Sequence, residues 1–243
     1  MAIITVSYIY NEIKAAKTNA VKLFGVLIDP EKQIIAQIPQ FLSTLPAYTT
    51  HILIGGSTGG RQIFQECVSM VKLHTDLPVI LFPGNHTQVV SEADALLFLS
   101  LISGRNPEYL IGEHIKAVPC LLTTNLEIIP TAYILIEGGN STTVEEVSRT
   151  RPLAIKNIEY IVHTALAGQY AGKKLIYLET GSGAMHPVPP KIISAVHRAV
   201  NIPIVIGGGI RDEQAMNEAY NAGASLVVVG SAFEEGSFRG SVL

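Results

Sequence analysis

Short apolar runs recur along the chain at intervals of roughly 25 residues, and each is continuous rather than alternating with polar residues. Continuous apolar runs bounded by turn residues are typical of parallel strands that are buried on both faces. The pattern predicts eight strands, at Phe24–Ile28, His51–Ile54, Pro78–Phe82, Ala95–Leu101, Ala132–Ile136, Lys174–Leu178, Pro203–Ile206 and Ser225–Val229.

Amphipathic patterns lie between most of these runs and predict helices. They cover Asn11–Val21, Arg61–His74, Pro189–Val200 and Asp212–Ala222, the last with Asp212 as its N-cap and Gly223 as its stop. Regular alternation of strand and helix favours a closed parallel α/β barrel of the (β/α)8 (TIM) type. We expect residues 1–243 to form this single domain.

Two connections break the alternation. Residues 84–94, between the third and fourth strands, are too few and too polar for a full crossover helix. Residues 101–129 are long and are interrupted by Gly104, Pro107 and Pro119. The barrel predicted here is therefore a modified one.

Composition narrows the class of protein. The length of 243 residues suits a barrel, and the net charge of −3 without a Lys/Arg-rich run argues against nucleic-acid binding. Two cysteines, Cys67 and Cys120, argue against a disulfide scaffold and fit a reducing cytosol. No secretory signal or membrane-spanning run is evident, so we expect a cytoplasmic protein. The mean hydropathy of +0.34 fits a buried sheet and also a pocket for a greasy substrate.

Polar motifs follow the predicted strands, at the end of a barrel where active sites lie. Asp29-Pro30-Glu31-Lys32 follows the first strand, residues 55–58 (Gly-Gly-Ser-Thr) the second, residues 83–85 (Pro-Gly-Asn) the third and residues 137–140 (Glu-Gly-Gly-Asn) the fifth. Such residues are also ordinary turn formers, and this alternative stays open for each loop taken singly.

Three glycine-bearing loops follow the last three strands. They contain Tyr177–Gly183, residues 206–210 (Ile-Gly-Gly-Gly-Ile) and residues 229–232 (Val-Gly-Ser-Ala), and residues 231–235 could open a short helix. Glycines let backbone N–H groups approach an anion closely, so the three loops predict a cradle for one phosphate group. The carboxylate of Glu179 suggests that a proton is removed beside that phosphate. Tight barrel packing is the alternative explanation of these glycines.

Asp29 is the best metal candidate, because a carboxylate at a strand end can hold Mg2+ that also bridges to phosphate oxygens. Ser57 or Thr58 could add a hydroxyl ligand, whereas a helix cap is the alternative role for Asp29. Lys32 is either an anion contact or a solvated surface lysine. The seven histidines show no metal-ligand spacing, so a zinc site is not expected.

The same motifs resemble the geranylgeranylglyceryl phosphate synthase family, which includes the bacterial heptaprenylglyceryl phosphate synthases. The resemblance rests on the three glycine loops, on residues 27–32 (Leu-Ile-Asp-Pro-Glu-Lys), 54–57 (Ile-Gly-Gly-Ser), 83–85 (Pro-Gly-Asn) and 103–109 (Ser-Gly-Arg-Asn-Pro-Glu-Tyr). It covers nearly the whole chain in one order. The family fold is a modified TIM barrel whose third crossover helix is missing or replaced, in agreement with the short connection at residues 84–94.

The resemblance implies Mg2+-dependent transfer of a polyprenyl group from its diphosphate to sn-glycerol 1-phosphate, with release of pyrophosphate. Asp29 and Ser57 would hold Mg2+, and Glu179 would be the catalytic base. The residues expected to bind glycerol phosphate are Tyr177, Leu178, Glu179, Thr180, Gly181, Ser182, Gly183, Gly208, Gly209, Gly230 and Ser231. Lys32, Asn85 and Tyr109 are expected at the prenyl diphosphate and its groove.

Three positions depart from the family pattern. Thr180 stands where many members have Ala, Ser231 where many have Asn, and Glu31 where Asp is common. The first two could alter phosphate contacts, while the third is conservative.

Chain length stays open at this point, with geranylgeranyl (C20) expected and heptaprenyl (C35) as the alternative. Another phosphate-binding barrel enzyme, an isomerase or lyase, would share the phosphate loops without needing Mg2+ or an apolar groove. A non-catalytic phosphate- or lipid-binding barrel is a third possibility. We further expect a homo-oligomer, either a dimer or a hexamer, and transient contact with a membrane surface is compatible with the substrate.

Overall fold

The computed structural model describes residues 8–56 and 58–240, which form a closed barrel of eight parallel strands in sequence order. The strands are β1 (Leu23–Ile28), β2 (His51–Ile54), β3 (Val79–Leu81), β4 (Ala95–Leu101), β5 (Glu127–Leu135), β6 (Leu175–Glu179), β7 (Ile204–Gly207) and β8 (Leu226–Val229). Pairing of β1 with β8 closes the barrel. The predicted fold class is confirmed.

Helices surround the barrel. They are α1 (Tyr8–Asn19), α2 (Ile38–Ser43), α3 (Arg61–His74), α4 (Glu113–Leu121), α5 (Thr143–Ser148), α6 (Ile158–Tyr170), α7 (Pro190–Ala199), α8 (Glu213–Asn221) and α9 (Ser231–Glu234). The predicted cap of α8 is present, because the Asp212 carboxylate accepts the Ala215 N–H at 2.8 Å. Gly223 ends the same helix with a φ of +113°. Within the described ranges, no helix is long and apolar enough to cross a membrane.

The third crossover has no α-helix. A single 3-10 turn, His86–Gln88, occupies the connection between β3 and β4, and this confirms the predicted modification of the barrel. The buried Gln88 side chain anchors the segment, accepting the Gly84 N–H at 2.6 Å and donating to the Gly59 carbonyl at 3.0 Å. After β4, a π-helical turn at Glu108–Gly112 leads directly into α4.

Two apolar layers hold the fold. One lies between the strands and the outer helices, and buried Phe64 and Cys67 of α3 belong to it. The other fills the barrel. Ile9 and Ile13 of α1 belong to this second layer, and α1 covers the N-terminal end of the barrel.

Strand β5 differs from its prediction, because it begins at Glu127 rather than at Ala132. Pro130 and Glu127 are poor strand formers, and this concealed its first half. The Glu127 carboxylate accepts the N–H groups of Ile9 and Tyr10 at 2.8 and 3.0 Å. It therefore caps the first turn of α1, which begins at Tyr8 rather than at the predicted Asn11.

Candidate active site

A cavity opens at the C-terminal end of the barrel, above a layer of aromatic rings. Phe82 stacks on Tyr177 with ring centroids 5.0 Å apart, and Tyr133 lies 5.6 Å from Tyr177. These three rings face the cavity from below. They form much of the floor of the cavity, between the polar rim and the apolar filling of the barrel.

Glu179 is the last residue of β6, and its side chain lines the cavity although the residue is only 6% exposed. Its Oε1 accepts the Gly181 N–H at 2.8 Å. Burial raises the pKa of this carboxyl to about 7, against the opposing effects of the Gly181 N–H, the neighbouring Tyr177 hydroxyl and the Thr180 backbone. A carboxylate whose pKa lies near neutrality is well suited to accept a proton at physiological pH.

Glycines shape the loops around Glu179. Gly181, Gly183, Gly208 and Gly209 have φ values of +95°, +74°, +80° and +68°, which L side chains rarely adopt. A Cβ at Gly208 would collide with Glu179 Oε1, so only glycine fits beside the carboxylate. Within the described residues, the amides of Gly208 and Gly209 donate no hydrogen bond. Free amides in turns of this kind are a common means of binding anions.

Serine side chains join the first and the third of these loops. Ser182, in the loop after β6, lies with its Oγ 3.1 Å from that of Ser231, the first residue of α9. Lys32 reaches the same place, because its Nζ donates to Ser182 Oγ at 3.3 Å. The loop after β1 and the glycine loops therefore meet at one point of the rim.

Lys32 also contacts two carboxylates. Its Nζ lies 3.3 Å from Asp29 Oδ2 and 3.8 Å from Glu234 Oε2. Glu234 in turn accepts the Asp29 N–H at 2.9 Å. Burial raises the pKa of the Glu234 carboxyl, and the Asp29 N–H and the Lys32 cation partly oppose that shift. Lys32 thus contacts several residues of the site, although its side chain remains 51% exposed to solvent.

Asp29 lines the cavity at the end of β1. Its Oδ1 accepts the Glu31 N–H at 3.1 Å within a turn after β1, and no helix begins there among the described residues, so the alternative role as a helix cap is not realised. A Cβ at Gly56 would lie 2.7 Å from Asp29 Oδ1, which means that glycine keeps the approach to this oxygen clear. Predicted ligand Ser57 lies outside the described residues. Thr58, the alternative hydroxyl ligand, donates instead to Glu31 Oε2 at 2.7 Å.

The far wing of the cavity is apolar and lies where the third crossover helix is missing. Its walls include Val89 of the short connection, Leu96 and Phe98 of β4, and Ala117 of α4. Tyr109 lies on the same side, with its hydroxyl donating to the Val147 carbonyl at 3.2 Å.

Most predicted site residues line this one cavity. They are Asp29, Lys32, Asn85, Tyr109, Tyr177, Glu179, Gly181, Ser182, Gly183, Gly208, Gly209, Gly230 and Ser231. The structure does not bring Leu178 and Thr180 to it. Leu178 points outward into the layer between strands and helices, and Thr180 is buried behind Gly208 with its hydroxyl unpartnered among the described residues.

Five charged or histidine residues of the cavity were not foreseen. They are His86, Glu113, His114, Arg211 and Glu234. Arg211 directly follows the Gly207–Ile210 loop, and its guanidinium donates to the Ala184 carbonyl at 3.2 Å. A cation immediately after a phosphate loop is a signal that the sequence did contain. His86 and Glu234 lie just after strand-end glycine motifs, at residues 83–85 and 229–232, but neither type of residue stood out there. Glu113 and His114 lie on α4, away from any such motif.

Comparisons of the sequence and of the fold with known proteins all match the same group of proteins. Residues 16–240 match the model of the PcrB family. The chain is 54% identical to the geranylgeranylglyceryl phosphate synthase of Zunongwangia profunda, over 93% of this chain and 97% of that protein. For the synthase of Flavobacterium johnsoniae the identity is 48%, over 94% and 95%. The crystal structure of the (S)-3-O-geranylgeranylglyceryl phosphate synthase from Thermoplasma acidophilum with its substrate sn-glycerol-1-phosphate has a TM-score of 0.85 at 32% identity, covering 96% of this chain and 92% of that one.

Proposed function

The chain belongs to the PcrB family, and we propose that it is a prenyltransferase that joins a geranylgeranyl group to sn-glycerol 1-phosphate. The observation that carries this proposal is the position of Glu179, a buried carboxyl with a pKa near 7 between glycine loops that suit a phosphate. The apolar wing of the same cavity offers a hydrophobic surface of the kind that a prenyl chain requires.

The reaction exchanges one carbon–oxygen bond for another. The bond between C1 of the prenyl chain and its diphosphate oxygen breaks, and the electron pair leaves with pyrophosphate. A glycerol hydroxyl oxygen bonds to C1, and its proton passes to the Glu179 carboxylate. A positioned base of this kind contributes roughly 10²–10⁴-fold to the rate.

The glycine loops would supply the positioning. Backbone amides of Gly208 and Gly209 and the hydroxyls of Ser182 and Ser231 would hold the phosphate, while the cationic Arg211 lies close by. Fixing the phosphate fixes the hydroxyl that is to react, which removes most of the entropic cost of bringing two substrates together.

The residues after β1, on the side of the site that faces the glycine loops, suit a magnesium ion. Mg2+ binds through one or two carboxylates and completes its shell with water and substrate phosphate oxygens. Asp29, whose Oδ1 is kept accessible by Gly56, would hold it together with Ser57. The described residues contain no cluster of three or more His, Cys, Asp or Glu side chains arranged for a metal, which is compatible with a site that substrate oxygens complete. When bound, the ion neutralises charge that develops on the leaving pyrophosphate.

The apolar wing favours this function over an isomerase or lyase of small phosphorylated substrates, because such an enzyme would need no surface of that length. The C20 chain is supported by the names of the curated relatives. Each buried methylene contributes about 0.8 kcal/mol, so the point at which the groove is blocked would set the preferred chain length.

The test is an incubation of the protein with sn-glycerol 1-phosphate, Mg2+ and labelled prenyl diphosphates of 15 to 35 carbons. We expect a prenylated, phosphatase-sensitive lipid, formed fastest from the C20 donor and lost when Mg2+ is chelated. Fastest transfer from the C35 donor would identify a heptaprenyl transferase instead. No product from any donor would refute the proposal.

A further inference from the structure

His86 and Glu113 form a pair across the cavity that the reaction described above does not use. The Glu113 Oε2 atom lies 2.7 Å from His86 Nδ1 and accepts the His86 backbone N–H at 2.6 Å. Glu113 opens α4, while His86 opens the 3-10 turn that replaces the third crossover helix. The pair therefore joins two walls of the cavity that no helix connects, and both residues line it.

The protonation of this pair follows from its contacts. Burial acts to raise the pKa of Glu113, but hydrogen bonds from His86 and Lys116 outweigh it and lower that pKa to about 2. An ionised carboxylate can only accept hydrogen bonds, so the proton between the two side chains belongs to His86 Nδ1. The other ring nitrogen, Nε2, makes no hydrogen bond to any residue that the structure describes. It is the position at which the imidazole can meet a ligand.

The position of His86 in the cavity indicates which ligand its Nε2 atom would contact. Its segment is fastened to the loop after β2, because Gln88 donates to the Gly59 carbonyl at 3.0 Å. That loop contains Gly56, which faces Asp29. On its other side, His86 is bonded to α4, whose Ala117 faces the apolar wing. His86 thus lies between the proposed metal side of the rim and the apolar wing, where the head of a prenyl diphosphate would meet its tail.

Charge supports the same assignment. The Lys32 ammonium is already shared between Asp29 and Glu234, and the Arg211 guanidinium lies at the glycine loops. A diphosphate at the junction of rim and wing would gain from a hydrogen-bond donor on the β3 side, where His86 lies. To donate from Nε2 while Glu113 holds Nδ1–H, the ring would carry both protons in the complex, and a hydrogen bond from a charged donor is stronger than one between neutral groups.

We propose that His86 is a binding residue for the prenyl diphosphate, donating from Nε2 to a diphosphate oxygen while Glu113 holds Nδ1–H and orients the ring. The bond would persist as the C1–O bond breaks and would stabilise the departing pyrophosphate, without proton transfer. The inference rests on the proposed function and adds one residue to it.

The experiment compares His86→Phe, which keeps a ring but removes the donor, with His86→Gln, which keeps an uncharged donor. The exposed His163 of α6 provides the control His163→Gln. For each protein, the KM for both substrates is measured with Mg2+, together with inhibition constants of inorganic pyrophosphate and of geranylgeraniol, which has the tail but no phosphate. We expect His86→Phe to raise the KM for the prenyl diphosphate and the pyrophosphate constant by about tenfold or more.

His86→Gln should give a smaller rise, and neither variant should change the geranylgeraniol constant or the KM for glycerol phosphate by more than about twofold. An unchanged pyrophosphate constant would overturn the inference. So would equal weakening of pyrophosphate and geranylgeraniol, because loss of a merely structural wall contact would affect both. If His86→Phe does not fold, His86→Gln carries the same comparison. Absence of product with the wild-type protein would instead refute the proposed function.

Discussion

Replacing Glu179 by glutamine should make the folded protein more stable at alkaline pH while removing its turnover. The carboxyl pKa is raised by burial from 4.5 to about 7. The folded state therefore holds a proton that the unfolded chain releases, and stability falls as pH rises between these two values. Below pH 4.5 both states are protonated, and above pH 7 both are ionised, so the whole loss occurs within this window.

The magnitude follows from the difference between the two pKa values. A pKa change of one corresponds to about 1.36 kcal/mol, so the difference of about 2.5 corresponds to roughly 3 kcal/mol. Glutamine cannot ionise. The free energy of unfolding of Glu179→Gln relative to the wild type should accordingly increase by about 3 kcal/mol between pH 4.5 and pH 8.

Urea unfolding at closely spaced pH values measures this difference directly. Glu159→Gln is a matched control, since the Glu159 side chain is 84% exposed on α6 and should show no comparable trend. Parallel stability curves for wild type and Glu179→Gln would refute the reasoning. The same titration applies to catalysis, where kcat should rise with pH through about 7 as the base ionises. Glu179→Gln should lose roughly 10²–10⁴-fold in rate while still binding glycerol phosphate.

Three further predictions concern the rim and the residue buried behind it. Asp29→Asn should raise the Mg2+ concentration for half-maximal rate by about tenfold or more, leaving glycerol phosphate binding intact; an unchanged Mg2+ requirement would remove Asp29 from the metal site. Gly208→Ala should lower both Tm and glycerol phosphate affinity, because its Cβ strikes Glu179. Gly172→Ala, with a similar φ of +83° and open space around it, should show the smaller Tm loss due to backbone strain alone, and equal losses would contradict the collision. Thr180→Val should raise the free energy of unfolding by about 1 kcal/mol without loss of activity, since its buried hydroxyl has no partner among the described residues; a destabilised variant would argue against that placement.

The barrel could be predicted because its strands are continuous apolar runs that end in glycine or acidic residues. What could not be predicted depends on contacts between distant residues. Glu127 and Pro130 do not resemble strand residues. A glutamate is accommodated at position 127 because it accepts hydrogen bonds from the amides of Tyr10 and Ile9, which lie 117 and 118 residues away in the sequence. Tertiary structure overrode local propensity there.

The candidate site, too, could be predicted only in part. Glu179 and Asp29 stand directly after apolar runs, so their convergence at one rim follows from the topology. Strand geometry also explains Leu178, because alternate residues of a strand face opposite sides: Leu175, Tyr177 and Glu179 point inward and Leu178 points outward. His86 and Glu113 lie 27 residues apart and meet only because the third crossover helix is absent. No local sequence pattern predicts that contact.

Some expectations remain predictions. These are the homo-oligomer, the cytoplasmic location and the single domain at residues 1–243. Sedimentation of the purified protein would address the first, with a dimer or hexamer as the expected species.

The position of the bound phosphate and of the reacting hydroxyl can be seen in a crystal structure of the protein with sn-glycerol 1-phosphate. We expect the phosphate on the amides of Gly208 and Gly209 and the hydroxyls of Ser182 and Ser231. A glycerol hydroxyl should lie within about 2.6–3.2 Å of the Glu179 carboxylate. A phosphate bound elsewhere in the barrel, or a glycerol whose hydroxyls all lie beyond reach of Glu179, would contradict this expectation.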